Sequence, residues 1–282
     1  MSLQEKERRL DKNLQSMGSV LIAFSGGVDS CLLLFKAGQV LGQGNVRAVT
    51  ATSETYSKQE KEDAITFTRQ HGFEHLVIRT NELSCKDFTS NPPDRCYFCK
   101  KELFSRLKGL AKEYGMDWVC DGANFDDTSD FRPGLRAARD LEVRSPLLEA
   151  ELTKEDIRTL SRKFGLETWD KPAAACLSSR IPYGEIITGE KLARIGSAEQ
   201  LLKSMGLQVV RVRCHGETAR IEVRPQDFPL VMNNKEAIVT EFKKLGFIYI
   251  TLDLEGFRSG SMNEVLKNKT WSEPAEPGSL DY

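Results

Sequence analysis

A chain of 282 residues with 40% hydrophobic and 29% charged side chains can bury the core of one large domain or two modest ones. Its formal net charge of −1 gives no general pull toward nucleic acid or an anionic membrane. The longest apolar runs, 20–24 and 31–35, fall far short of the roughly 20 residues that a membrane-spanning helix needs. The first residues, MSLQEKERRLDKNL, are charged and helical in pattern without the apolar stretch of a signal peptide, so the cytoplasm is the expected compartment. Disulfides are not expected there, and the seven cysteines read as thiols.

From residue 20 onward, short β-branched runs alternate with longer amphipathic stretches. The pattern predicts strands over 20–24, 46–51, 76–79 and 118–121, and helices over 30–41, 58–71, 97–114 and 154–164. Such alternation implies a parallel sheet covered on both faces, with ligands beyond the carboxyl ends of its strands. Residues 80–95 are polar with a Pro-Pro pair and read as a long loop. Residues 168–184 hold two prolines and little periodicity, as a connection between domains would. A second unit follows, with helices at 188–205 and 235–245 and strands at 209–214, 219–223 and 248–254. The expected organisation is a domain over 1–167, a linking segment over 168–184 that carries Cys176, a smaller α/β domain over 185–266, and a flexible, Pro- and Glu-rich tail over 267–282.

Ser25-Gly26-Gly27-Val28-Asp29-Ser30 stands between the first strand and its helix. Two glycines let backbone N–H groups approach an anion, two hydroxyls donate hydrogen bonds, and the helix start adds its positive dipole end. Asp29 supplies a carboxylate suited to magnesium. Cys120-Asp121-Gly122-Ala123-Asn124-Phe125-Asp126-Asp127 follows the fourth strand and is either a second site loop or an acidic turn. Cys31, Cys120 and Cys214 sit in apolar patterns and read as buried hydrophobes. Cys96 and Cys99 form a Cys-x-x-Cys. With Cys176 they leave several readings open: an iron–sulfur cluster, a zinc site completed by His215 or Cys85, a redox pair, or plain thiols. Arg211 and Arg213 alternate on one strand face, Arg258 lies in a Gly-rich turn, and Arg180 is close to Cys176. These arginines suit phosphate or carboxylate, but a solvated face looks the same. No Lys/Arg run exceeds two residues, which speaks against a nucleic-acid partner.

The hexapeptide resembles the PP-loop of the ATP pyrophosphatase superfamily, and it lacks the Gly-Lys-Ser/Thr ending of a Walker A loop. The resemblance implies scission between the α and β phosphates of ATP. The ATP-binding residues it implies are Ser25, Gly26, Gly27, Asp29 and Ser30, with Ser53 after the second strand and Asp121, Gly122 and Asn124 after the fourth. Segments 94–104, 131–134, 173–184, 210–213 and 256–260 resemble, in order, those of the LarE family, across about residues 18 to 264. That family consists of sulfurtransferases that make the nickel-pincer nucleotide, the cofactor of lactate racemase. They adenylate a carboxylate of pyridinium-3,5-biscarboxylic acid mononucleotide and replace an oxygen with sulfur.

One branch of the family has only the cysteine at the position of Cys176 and sacrifices its sulfur, leaving dehydroalanine. The presence of Cys96 and Cys99 resembles the branch thought to hold a 4Fe-4S cluster. What this implies is an N-terminal PP-loop domain with a Rossmann-like parallel sheet and a smaller C-terminal α/β domain, using ATP and Mg2+ (at Asp29) and a cluster on Cys96, Cys99 and Cys176. The substrate would be held by Arg180, Arg211, Arg213 and Arg258. A sulfide source and a homo-oligomeric assembly are also implied. Competing readings are a tRNA-thiolating PP-loop enzyme, an amidating ligase, and a non-catalytic ATP- or metal-sensing module.

Overall fold

The computed structural model describes residues 1–56, 58–129, 132–172, 175–258 and 260–267. The expected tail beyond residue 267 lies outside the described residues, as do Phe131, Ala173, Ala174 and Ser259 of the motif segments. The chain forms two compact units. One comprises residues 1–178 and 183–193, and the other 179–182 with the chain from 194 onward.

The first unit is built on a parallel sheet of four strands, β1 (Val20–Ala23), β2 (Val46–Thr52), β3 (Glu74–Arg79) and β4 (Trp118–Cys120), in the order β3-β2-β1-β4. β1 is central because its residues are apolar on both faces. Val20 and Ile22 join Leu32, Leu33 and Leu34 of the helix Val28–Leu41 in one core, together with Leu10 and Leu14 of the helix Leu3–Gln15. Leu21 points the other way and packs with Phe104 and Leu107 of the helix Arg95–Glu113. Helical layers on both faces make this a doubly covered, Rossmann-like α/β sheet. Strand order reverses between β1 and β4, so the crevice beyond their carboxyl ends is the switch point where ligands bind in such sheets.

Local signals set the element ends. Ser2 and Glu5 close a capping box on the first helix, with Ser2 N donating to Glu5 Oε2 at 2.7 Å. Thr153 and Asp156 do the same for the helix Lys154–Lys163. The helix expected at 97–114 begins two residues earlier, at Arg95. The polar 80–95 stretch, expected to be loop throughout, contains the short helix Lys86–Thr89, and the helix Pro133–Asp140 was not anticipated.

The second unit holds β5 (Val210–His215), β6 (Thr218–Val223) and β7 (Tyr249–Leu252) in the order β5-β6-β7. β5 and β6 form an antiparallel hairpin, while β7 runs parallel to β6 after the crossover helix Lys235–Lys244. Val212, Cys214, Ile221, Val223, Phe242 and Phe247 are buried there. Among the described residues, no helix is long and apolar enough to cross a membrane.

Candidate active site around the glycine loop and three thiols

β1 delivers the chain to Phe24, whose carbonyl accepts from Thr50 Oγ1 at 2.7 Å. The next residues turn sharply. Gly26 has φ +69°, and a Cβ there would meet Ala64 backbone at 3.2 Å, so the loop has glycine where both conformation and space demand it. Ser25 Oγ lies 3.2 Å from Ser30 Oγ, and Ser30 Oγ donates to Gly27 O at 3.2 Å. Gly27, the N-cap of the helix Val28–Leu41, brings no side chain to the first helical amides. Those amides therefore face the loop with donors to spare, the arrangement that receives phosphate.

The loop after β4 closes on this one. Gly122 approaches so tightly that a Cβ would lie 3.2 Å from Ser30 N. Asn124 Nδ2 donates to Asp29 Oδ1 at 3.3 Å, and Asp121 Oδ1 accepts from Ser145 Oγ at 2.7 Å. Ser53, after β2, lies with its hydroxyl 2.9 Å from Thr55 Oγ1, and Tyr56 Oη of the same turn donates to Ser25 O at 2.8 Å.

Two lysines not singled out by sequence also stand here. Lys154 forms an ion pair with Asp29, and its backbone amide donates to Asp126 Oδ2 at 2.8 Å. Lys171 Nζ donates to Gly26 O at 3.0 Å and to Asp63 Oδ2 at 2.7 Å. A lone lysine after a helix cap, or before a proline, carries no spacing signal that could have found either.

Cys96 and Cys99 occupy the first turns of the helix Arg95–Glu113, three residues apart and hence on one face. Cys176 reaches them on a segment pinned at both ends. On one side, Leu177 N donates to Thr55 O at 3.1 Å. On the other, Gly184 N donates to Asn91 O and Ile187 N to Thr89 O, both at 2.9 Å, while Tyr183 lies beneath the Arg95 guanidinium. Removal of water by the surrounding protein pushes the Cys96 and Cys99 thiols up, and repulsion from Cys176 pushes both further. Arg95, Lys100 and Arg132 oppose this at Cys96. Cys176 itself is exposed, its sulfur 3.1 Å from Ser178 Oγ. The three thiols thus share one neighbourhood. Among the described residues, however, no three His, Cys, Asp or Glu side chains stand in a metal-holding arrangement. Cys31, Cys120 and Cys214 are buried, with Cys31 pushed up to about 12 by burial.

The four arginines lie in the second unit. Arg180 is buried and forks onto Glu199, with Nε–Oε1 2.8 Å and NH2–Oε2 3.0 Å. Arg213 is buried on Glu222 at 2.7 Å and also donates to Ser261 Oγ and Ser179 O. Arg211 stacks over Phe257 and donates to Val210 O. Arg258 pairs with Glu255 at 2.8 Å and Glu264 at 3.2 Å. Each guanidinium therefore has a structural partner within its own unit.

The NAD synthase family profile matches residues 3–112, the stretch that carries the glycine loop. An uncharacterised protein of Synechocystis is 45% identical over 94% of this chain and 99% of its own length. The pyridinium-3,5-bisthiocarboxylic acid mononucleotide synthase of Lactiplantibacillus plantarum is 41% identical over 94% of this chain and 96% of its own. An uncharacterised protein of Methanocaldococcus jannaschii is 30% identical over 85% and 91%. Identity sustained across both units, in a protein with the PP-loop geometry described above, leaves one assignment: the chain belongs to the pyridinium-3,5-bisthiocarboxylic acid mononucleotide synthase (LarE) family of PP-loop proteins.

Proposed function

We propose that the protein is an ATP-dependent sulfurtransferase that adenylates a carboxylate of pyridinium-3,5-biscarboxylic acid mononucleotide and converts it to the thiocarboxylate. The observation that carries this reading is the tether between its two halves. Leu177, next to Cys176, bonds to Thr55, and Tyr56 of the same turn bonds to Ser25 of the glycine loop. A sulfur-bearing side chain is thereby anchored to the segment that would hold the departing pyrophosphate.

In the first step a substrate carboxylate oxygen attacks the α-phosphorus of ATP. The bond to the bridging oxygen breaks, pyrophosphate leaves, and an acyl adenylate forms. The loop amides, with the Ser25 and Ser30 hydroxyls, would stabilise the charge that develops on the leaving group. Asp29 offers the hard oxygen ligand that magnesium prefers, and it would exchange the ammonium of Lys154 for the ion. Lys154 and Lys171 would then turn to phosphate oxygens. Ser53, Asp121, Gly122 and Asn124 complete the proposed ATP site, and Arg180, Arg211, Arg213 and Arg258 the proposed substrate contacts.

In the second step sulfur attacks the activated carbonyl carbon and AMP departs. Three neighbouring thiols form a donor set suited to iron–sulfur chemistry, so Cys96, Cys99 and Cys176 would hold a 4Fe-4S cluster. Such a cluster, when bound, would supply an open iron for a hydrosulfide. The sulfide source and a homo-oligomeric assembly belong to the same proposal.

A second reading is favoured by the exposure of Cys176: its own sulfur attacks and expels AMP to give a thioester. A β-elimination, with loss of the Cα proton and cleavage of the Cβ–Sγ bond, then leaves dehydroalanine on the protein and the thiocarboxylate on the substrate. Two measurements test the proposal. Pyrophosphate release should depend on the pyridinium nucleotide, and its absence would overturn the adenylating step. Anaerobically purified protein should contain iron and acid-labile sulfide. Protein without them that loses the mass of one H2S on turnover would establish the sacrificial route instead.

A further inference from the structure

The described residues include four buried cations, Lys36, Arg95, Arg180 and Arg213. Three have carboxylate partners. Lys36 lies 2.8 Å from Asp11 and 3.4 Å from Glu7, Arg180 forks onto Glu199, and Arg213 pairs with Glu222. Arg95 is 4% exposed and has none among the described residues. Its NH1 donates to the neutral amide oxygen of Asn91 at 2.9 Å, its guanidinium lies 4.7 Å over the Tyr183 ring, and its Nε has no partner. The neighbouring Asp94 turns instead to Arg136. A buried guanidinium is strongly disfavoured unless a negative group nearby compensates its charge. Arg95 immediately precedes Cys96 on the helix that carries Cys96 and Cys99, and the Tyr183 ring beneath it belongs to the segment that carries Cys176.

We infer that Arg95 is the counter-charge of the thiol site, positioned to face an anionic, sulfur-bearing group carried on Cys96, Cys99 and Cys176. This rests on the cluster reading above. Three thiolates outweigh the charge of the iron–sulfur core they hold, and a hydrosulfide on the open iron adds to the imbalance, so the loaded site is an anion of the kind Arg95 lacks. Asn91 and Tyr183 hold the guanidinium in place. The same two residues belong to the segments that bring Cys176 to the helix, so delivery of the third thiol and of the positive charge is a single local arrangement.

The test uses the full chain, reconstituted anaerobically with iron and sulfide, in wild-type, Arg95→Gln, Arg95→Lys and Tyr183→Leu forms. Cluster midpoint potential, and the rate of iron loss to a chelator, are measured for each. Removing a nearby positive charge disfavours the more negative reduced state. Arg95→Gln should therefore shift the potential to more negative values and lose iron several-fold faster. Arg95→Lys keeps the charge and should stay near wild type in potential. Tyr183→Leu removes the platform without the charge and should move the rate more than the potential. Should Arg95→Gln fail to fold, a wild-type-like potential in Arg95→Lys, against a displaced one in Arg95→Met, decides the matter in favour. A wild-type potential and iron content in Arg95→Gln would overturn the inference alone. A wild-type protein that takes up no iron would overturn the cluster reading, and the inference with it.

Discussion

Gly26 shows how a single residue can gate the chemistry. A side chain at φ +69° strains the backbone by about 1–2 kcal/mol, and the Cβ would also press on Ala64. Gly26→Ala should therefore lower the melting temperature modestly and suppress pyrophosphate release far more, because the displaced amides are the ones proposed to receive phosphate. Lys154 makes a different prediction. Its pair with Asp29 is partly exposed, so it is worth about 1 kcal/mol or less, at most about fivefold in affinity. Lys154→Met should lower the magnesium concentration for half-saturation by no more than that, while pyrophosphate release slows because the cation proposed to turn to phosphate is gone. A titration of pyrophosphate release against magnesium checks both halves. At this scale the sequence was only partly legible. Glycine motifs announce themselves because few residues can replace them. Lys154, Lys171 and Arg95 do not, since a charged residue reads the same whether it is solvated or faces a site. Arg180 and Arg213 show the converse, because nothing local to them reveals that Glu199 and Glu222 lie opposite.

Elements are tied together by acids whose charge the fold favours. Burial pushes Asp156 up, but Lys6 at 2.6 Å and the Thr153 amide and hydroxyl outweigh it and hold its carboxyl below the ordinary 3.8. Burial likewise opposes, and Arg144 with the Ser145 amide outweighs, at Glu149, held below 4.5. A carboxylate with a depressed folded value contributes stability that is complete above its unfolded value and is lost as pH falls through the folded one. His75 adds an earlier loss. Burial between Thr50 and Thr68 lowers it from 6.5, so the unfolded chain takes up its proton first as the solution is acidified. Melting temperature should accordingly fall in two stages, beginning near pH 6.5 and steepening below about pH 4.5. His75→Gln should remove the first stage only, and retention of that stage in the variant would refute the assignment. The strands and long helices behind these contacts were legible because their apolar periodicity extends over several turns. Lys86–Thr89 was not, a single turn being too short for a period to register. Pro133–Asp140 did carry a signal, a proline at its first position and an apolar face through Ala137 and Ala138, that the sequence reading passed over.

At the scale of the molecule, the proposal joins two chemistries through one tether, and whether they can be separated is the question its architecture poses. The doubly covered sheet was readable from strand–helix alternation, and the switch point between β1 and β4 follows from its order. Convergence of Cys176 on Cys96 and Cys99 was not readable from spacing. It depends on main-chain bonds from Leu177, Gly184 and Ile187 to Thr55, Asn91 and Thr89, which carry no side-chain signature that names the partner. Those bonds also imply independence. The Cys176 thiol contacts Ser178, whereas the glycine loop is closed by its own hydroxyls and by Tyr56. Removing the thiol leaves every one of the loop's bonds in place. Cys176→Ser should thus release pyrophosphate within about twofold of wild type in a single turnover, yet form no thiocarboxylate. Ser30→Ala, which breaks the loop's internal closure, should depress both products together. If Cys176→Ser instead lost pyrophosphate release in proportion to product, the thiol would be taking part in adenylation, and the two chemistries would be one concerted site rather than two joined through Thr55 and Tyr56.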